Sequence, residues 1–223
     1  MTNELRTIIK EAAHERFATK AFDPEKLVSE EDFELLIDIA RYSPSSCGTE
    51  PWKVLNIKSQ EVRDKLFPIS WGAQRGQLKA SHYIVILSAK QQMFSEEEGY
   101  VKKMLIDTHH YPEAAFNNCI KYLTHMYDNQ PEETRDDFYY EYSAHQAHIM
   151  AMNICANAAL MGIDTCMIGG FDRAAIDKLL GEEMDLYDTK KWSGGLCVAI
   201  GYRAKGSGHG KARKPMEEFI QDI

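Results

Sequence analysis

Twenty consecutive residues, Ser143 to Gly162, read SAHQAHIMAMNICANAALMG and leave little choice about the fold. They contain no Asp, Glu, Lys or Arg, and apolar side chains recur around every turn, so as a helix they offer no broad face to water. Such a helix needs neighbours on several sides and belongs at the centre of the molecule. Candidate neighbours stand on either side of it in the sequence. Four runs, KVLNIK (Lys53–Lys58), HYIVILSAK (His82–Lys90), DTCMIGGF (Asp164–Phe171) and LCVAIGYR (Leu196–Arg203), are almost continuously apolar, as strands buried on both faces are. SEEDFELLIDIARYS opens with Ser29 as N-cap and acids in the first turn, and places Phe33, Leu36, Ile37 and Ala40 at helical spacing. The N-terminal MTNELRTIIKEAAHERF does the same with Leu5, Ile8, Ile9, Ala12 and Ala13, which predicts a helix and not a secretory leader. Residues 93–143 are acidic and tyrosine-rich.

A chain of 223 residues without an internal repeat or a linker between apolar units is expected to form one domain, residues 1–223. Its formal charge of −8 argues against a nucleic-acid partner but leaves room for a small anion at a local basic cluster. No uninterrupted apolar run approaches the roughly 20 residues of a membrane span, so the cytoplasm is the expected compartment and no membrane partner is expected. The cysteines at 47, 119, 155, 166 and 197 are odd in number and lack C-x-x-C spacing, which suits reduced, mostly buried thiols.

Two stretches stand out chemically. RYSPSSCGTEPWKVL (Arg41–Leu55) brackets small polar residues between two prolines, the pattern of a stiff loop that holds something. Near the C-terminus, Arg203, Lys205, Lys211, Arg213 and Lys214 fall within twelve positions that hold no acid. Taken singly, other features read plainly. His145 and His148 lack a third metal ligand, so no metal site is expected. Gly169 and Gly170 lack both the dinucleotide-binding and the P-loop spacing and would be a turn. Cys47, without a His–Asn signature elsewhere, would be a small packing residue.

In combination the segments say more. HERFATKAFD (His14–Asp23), YSPSSCGTEPWKVLNI (Tyr42–Ile57), KASHYIVILSAK (Lys79–Lys90), MGIDTCMIGGFD (Met161–Asp172) and GYRAKGSGHGKARKP (Gly201–Pro215) resemble, in this order, the FMN-dependent nitroreductase family. The R-x-x-x-K-x-F start and the P-S-S-x-x-x-x-P-W loop carry the resemblance, which spans nearly the whole chain except residues 93–143. It implies an α+β fold with a central, mainly antiparallel sheet flanked by helices, an intertwined homodimer, and FMN held between the two chains.

The resemblance also implies roles. Arg16 matches a phosphate-binding arginine, with Phe17 and Ala18 beside it; Ala18 stands where a serine is common. Lys20 matches the lysine at the N1 and O2 edge of the flavin, and Lys211 with Arg213 would complete the phosphate clamp. Pro44, Ser45, Ser46 and Gly48 match the loop that the second subunit lays against the flavin, with Gly48 and Glu50 in place of the usual Asn and Gln. Gln74 and Gln77 have the spacing of residues at the pyrimidine edge. Ile168, Gly169 and Gly170 match the strand end whose amides meet flavin N5 and O4. The implied activity is hydride transfer from NADH or NADPH through FMN to an electron-poor small molecule such as a nitroaromatic or a quinone, with no catalytic side chain required. A specialised flavoenzyme on the same fold and a non-catalytic flavin sensor are the alternatives.

Overall fold

The apolar runs become strands; the two inner ones have both faces covered, whereas Trp52–Asn56, at one sheet edge, is only half-buried and leaves Lys53 exposed. A computed structural model describes residues 1–135, 137–205 and 211–223. In chain order these form α1 (Asn3–Glu15), α2 (Glu30–Arg41), β1 (Trp52–Asn56), α3 (Gln60–Leu66), β2 (His82–Ala89), α4 (Tyr100–Lys102), α5 (Glu113–Asp128), α6 (Glu132–Arg135), α7 (Phe138–Leu160), β3 (Asp164–Ile168), α8 (Arg173–Ile176), β4 (Trp192–Gly201) and α9 (Met216–Phe219). A wider helical segment, Lys103–Thr108, continues α4.

The strands make one sheet in the order β1-β2-β4-β3, and every neighbouring pair is antiparallel. Side chains alternate between two cores, as a strand's period of two requires. Tyr83, Val85 and Leu87 of β2 join Cys197 and Ala199 of β4 and Ile168 of β3 on one face. Ile84 and Ile86 join Leu196, Val198 and Ile200 on the other, beneath Met150, Ala151 and Ile154 of α7 and Leu36 of α2. Each such side chain contributes about 1.5–3 kcal/mol on burial, so these two layers dominate the stability of the fold. The register slips between Ile86 and Leu87, and the extra residue on β4 is Gly195, where a Cβ would stand 2.2 Å from Ser88 Oγ.

The boundaries differ from the sequence pattern in physical detail. The third apolar run stops pairing at Ile168, so Gly169 and Gly170 leave the sheet; the fourth begins earlier, at Trp192. The long helix starts at Phe138, ahead of Ser143, because Phe138 and Tyr142 are buried among other aromatic rings. Residues 93–143 are largely helical, with Phe116, Cys119, Ile120 and Leu123 on the inner face of α5. The central helix is also less enclosed than its composition predicts. Ile149, Met152 and Leu160 remain 45%, 40% and 47% exposed, beside the equally open Leu5, Ile8 and Ile9 of α1. Ser29 caps α2 as expected, accepting from the Asp32 amide at 3.0 Å. No helix among the described residues is long and apolar enough to cross a membrane.

One buried cation organises the loop before β2. Arg63, on α3, is only 7% exposed and pairs with no carboxylate among the described residues. Its guanidinium donates instead to the carbonyls of Ile57 (2.8 Å), Leu78 (3.2 Å), Ala80 (2.6 Å) and Ser81 (3.2 Å). Burial pulls its pKa down from the ordinary value, yet an arginine keeps its charge even so.

Candidate functional site

The chain leaves α1 at Arg16 and runs in extended form along the open edge of β3. Ala18 bridges Thr165 in parallel, the Thr19 amide donates to the Thr165 carbonyl at 3.1 Å, and Phe22 bridges Arg203. This run presents Lys20 at the surface with Nζ 3.7 Å from Cys166 Sγ. Phe17 turns inward, 7% exposed, beneath the Arg203 guanidinium at 4.6 Å, so only its backbone faces the site. Arg203 in turn donates from Nε to Asp164 at 2.8 Å, which fixes the plane of its guanidinium.

The chain's other end returns to this place. Lys211 Nζ donates to the carbonyls of Ala13, at 2.7 Å, and Arg16, both at the end of α1. Those carbonyls are the negative pole of the helix, where a cation is favoured. Lys211, Arg213, Arg203 and Phe17 line a cavity of about 600 Å³. Arg16 faces the adjoining groove against α7, lined by Ala156, Ala159 and Leu160, with Arg203 and Phe17 lining a third hollow between them. The Lys211 pKa is lowered by desolvation and then by the charges of Arg16 and Arg213, with Glu15 opposing. Cations gathered so that they repel one another are poised for an anion. Residues 206–210 of the basic stretch lie outside the described residues.

The glycine pair after β3 meets the loop held by Arg63. The Gly72 amide donates to the Gly170 carbonyl at 2.7 Å, and a Cβ on Gly170 would meet Trp71 Nε1 at 2.7 Å and Gly72 Cα at 3.1 Å, so only glycine fits. A Cβ on Gly169 would meet nothing within 4 Å: its backbone is open to an approaching ligand. Ile168 buries its side chain and offers only main chain. Gln77 is 1% exposed; its amide donates to the Gly72 carbonyl at 3.1 Å and its oxygen accepts from the Arg75 amide at 3.0 Å. Gln74 donates to the carbonyls of Phe67 (2.6 Å) and Ser70 (2.8 Å). Both glutamine amides therefore brace their own loop. Lys20 and Gln77 both interact with the Cys166 thiol, which burial pushes up and those two neighbours pull down. Lys20, Gln77 and Gly170 thus share one corner, next to the cation cluster.

The Pro44–Glu50 loop lies elsewhere. Its Ser46 amide donates to Gln146 Oε1 at 2.9 Å, and Tyr142 donates to the Ser46 carbonyl at 2.9 Å, both from the first half of α7. Ser45 Oγ accepts from the Glu50 amide at 2.9 Å, and Cys47, Gly48 and Glu50 all have positive φ. Tyr100 donates to the Glu50 carbonyl at 2.6 Å, and His109 Nε2 lies 3.1 Å from both the Gly48 carbonyl and the Glu50 carboxylate. These partners hold the loop rigid while Pro44, Ser45, Ser46 and Gly48 stay at least partly open. From Gln146 to Ala159, beside Arg16, α7 advances roughly 20 Å at 1.5 Å per residue. Within one chain the loop is braced against the first half of α7 and Arg16 lies against its second half.

Gln146, Tyr100, His109 and Cys166 were not singled out in the sequence for this site, and Arg203 was noted only as part of the basic stretch. Each acts through a partner 39 to 146 positions away, beyond any local spacing.

Comparison with known proteins gives the arrangement a family. The nitroreductase family matches residues 13–202. A Staphylococcus haemolyticus protein named "Putative NAD(P)H nitroreductase" is 37% identical over 230 residues, covering all of both chains. A nitroreductase family protein from Streptococcus pneumoniae superposes with a TM-score of 0.73 at 23% identity, covering 96% of this chain and 99% of its own. A protein from Exiguobacterium sibiricum, solved as "putative nitroreductase in complex with FMN", gives 0.70 at 19%, covering 100% and 99%. The match along most of the sequence, the relatives' full-length identity and the shared fold agree: the chain belongs to the nitroreductase family.

Proposed function

We propose that the protein is an FMN-dependent oxidoreductase, working as a homodimer, that passes hydride from NADH or NADPH to electron-poor acceptors such as nitroaromatics or quinones. The observation that carries this reading is the cation cluster of Arg16, Lys211 and Arg213 beside the open backbone of Gly169 and the exposed amine of Lys20. The donor set fits FMN: several cations for a phosphate, an unobstructed main chain for a flat ring, and a fixed positive charge at one edge. Bound FMN would supply the hydride exchange itself. The chain's own residues would bind and orient: Arg16, Lys211 and Arg213 hold the phosphate, Lys20 favours negative charge at the ring edge, and Gly169 admits the ring to the backbone.

The test is direct. The protein should purify yellow, release FMN and not FAD on heating, and oxidise NADH or NADPH steadily only when a quinone or nitroaromatic is present. A colourless protein that cannot be reconstituted with FMN ends the proposal. A flavin-loaded protein without turnover would favour the sensor alternative.

The dimer follows from two features. The Pro44–Glu50 loop is braced against the first half of α7 and lines no cavity with Arg16, Lys211 or Arg213, and a second copy could bring its loop to them. The open apolar side chains of α1 and α7 lie side by side, with Ile9, Met152 and Leu160 in one groove, and contiguous apolar surface of that kind marks an interface. Sedimentation is expected to give about twice the chain mass of 25.5 kDa at every workable concentration. A stable flavin-bound monomer would contradict it.

A further inference from the structure

The cysteines do not share one role. Cys155, on α7, faces the core between that helix and the sheet, and Cys166 and Cys197 lie in the core on the opposite sheet face. Cys47 and Cys119 are instead neighbours. Both line a cavity of about 540 Å³ with Gly48, Leu105, Tyr111 and Asn118. Both belong to a third apolar cluster around Leu105, Leu123 and Tyr142, and the two thiols are close enough to interact directly. Cys47 is partly exposed, at a turn with φ of 56°, whereas Cys119 is 5% exposed on the inner side of α5. One thiol opens onto the cavity and the other stands behind it.

We propose that Cys47 and Cys119 form a reversible intramolecular disulfide, with a hydroperoxide as oxidant, that fastens the Pro44–Glu50 loop to α5. The Cys47 thiolate attacks a peroxide oxygen, the O–O bond breaks, and Cys47 becomes a sulfenic acid while the departing hydroxide takes up a proton. The Cys119 sulfur then attacks the Cys47 sulfur, the S–O bond breaks, and the hydroxide that leaves carries away the Cys119 proton as water. In sum, two thiols and one hydrogen peroxide give one disulfide and two waters; a dithiol reverses the bond by exchange.

Exposure sets the order of events. Cys47 meets the oxidant first, and Cys119 resolves. Burial and the adjacent Cys47 push the Cys119 thiol up to about 12, so it stays protonated and unreactive until a sulfenic acid is beside it. A disulfide brings its Cβ atoms to about 3.5–4.5 Å, and with α5 a regular 16-residue helix and the loop braced by Gln146, Tyr142 and Tyr100, rotation of the two side chains brings the sulfurs together. That the fastened loop also faces a flavin rests on the proposed function; formation of the bond does not.

The test is peroxide titration of the full-length protein, alkylation of the remaining thiols under denaturing conditions, and peptide mapping by mass spectrometry. Five free thiols should fall to three, with a Cys47–Cys119 linked peptide two hydrogens lighter that dithiothreitol abolishes. Amide exchange at Ser46–Glu50 should slow about tenfold in the oxidised protein. Cys119→Ser should lose the link and leave a Cys47 sulfenic acid that dimedone traps, whereas Cys197→Ser should still form the link. Peroxide that modifies Cys47 alone in wild type, with Cys119 fully alkylated afterwards, overturns the proposal, as does an unchanged thiol count. FMN binding measured in parallel separates the two ideas: a linked protein that binds no FMN retains the disulfide and discards the flavin reading.

Discussion

Arg213→Ala is expected to weaken FMN binding ten- to a hundredfold and to leave riboflavin binding unchanged. Arg213 is exposed, its guanidinium donates to the neighbouring Ala212 carbonyl at 2.7 Å, and it lines the same cavity as Lys211. Glu15 is the acid lining that cavity and lies 3.9 Å from Arg203, and Arg213 forms no ion pair among the described residues, so its charge is available to an entering phosphate. A charge-assisted hydrogen bond, with a second one when the guanidinium binds bidentately, is worth about 1.5–3 kcal/mol, and each 1.4 kcal/mol is a factor of about ten in affinity. Riboflavin lacks the phosphate and so cannot sense the change. Lys205→Ala provides the control, because an exposed, solvated lysine contributes only tenths of a kcal/mol. Paired titrations of apoprotein with FMN and riboflavin decide the matter. Equal FMN affinity in wild type and Arg213→Ala would return the basic stretch to the role of a solvated terminus.

Arg63→Met should be the most destabilising single change away from the two sheet cores, at about 3–5 kcal/mol. Methionine fills most of the same space, so the loss is electrostatic: four carbonyls that shared one guanidinium are left without their donor. In a protein of this size that corresponds to a fall in melting temperature of roughly 6–20 °C. Arg63→Lys should recover less than half of the loss, since a single ammonium group lacks the planar fork that reaches four oxygens at once. Thermal and denaturant unfolding followed by circular dichroism measure both. A cost below about 1 kcal/mol for the methionine variant would mean that water replaces the guanidinium, and would remove Arg63 as the anchor of residues 77–81.

The sheet was legible because its inner strands are buried on both faces, which makes composition itself a signal. HYIVILSAK needs no partner to be recognised, and it forms β2 almost to the residue. Arg63 was not legible. In QEVRDKL it sits among Glu, Asp and Lys and reads as one more solvated side chain; only the return of residues 78–81 over α3 encloses it. Residues 93–143 were legible only in part: Phe116, Cys119, Ile120 and Leu123 mark the inner face of the 16-residue α5, whereas the pieces around it are short and held by aromatic contacts such as Phe94–Tyr139 and Tyr127–Tyr139 that come from distant parts of the segment. Within the site, Arg16, Lys20, Gly169 and Lys211 emerged as motif residues; Arg16, Lys20 and Gly169 are spread along the β3 edge of the sheet, and Lys211 is tied to the end of α1. Gln74 and Gln77 emerged by spacing as well, but their amides are tied to backbone groups that no spacing reveals.

The tie between Lys211 and the end of α1 separates folding from binding. The last strand among the described residues, β4, ends at Gly201, so the sheet and both cores use nothing beyond it. The cation cluster takes two of its members from further on: Lys211, which docks onto carbonyls of the first helix, and Arg213 beside it. Affinity for an anion at this place thus registers the presence of residues 211–213, whereas the spectroscopic signature of a folded sheet does not. Purified chains ending between residues 202 and 210 would be folded and would bind the anion weakly.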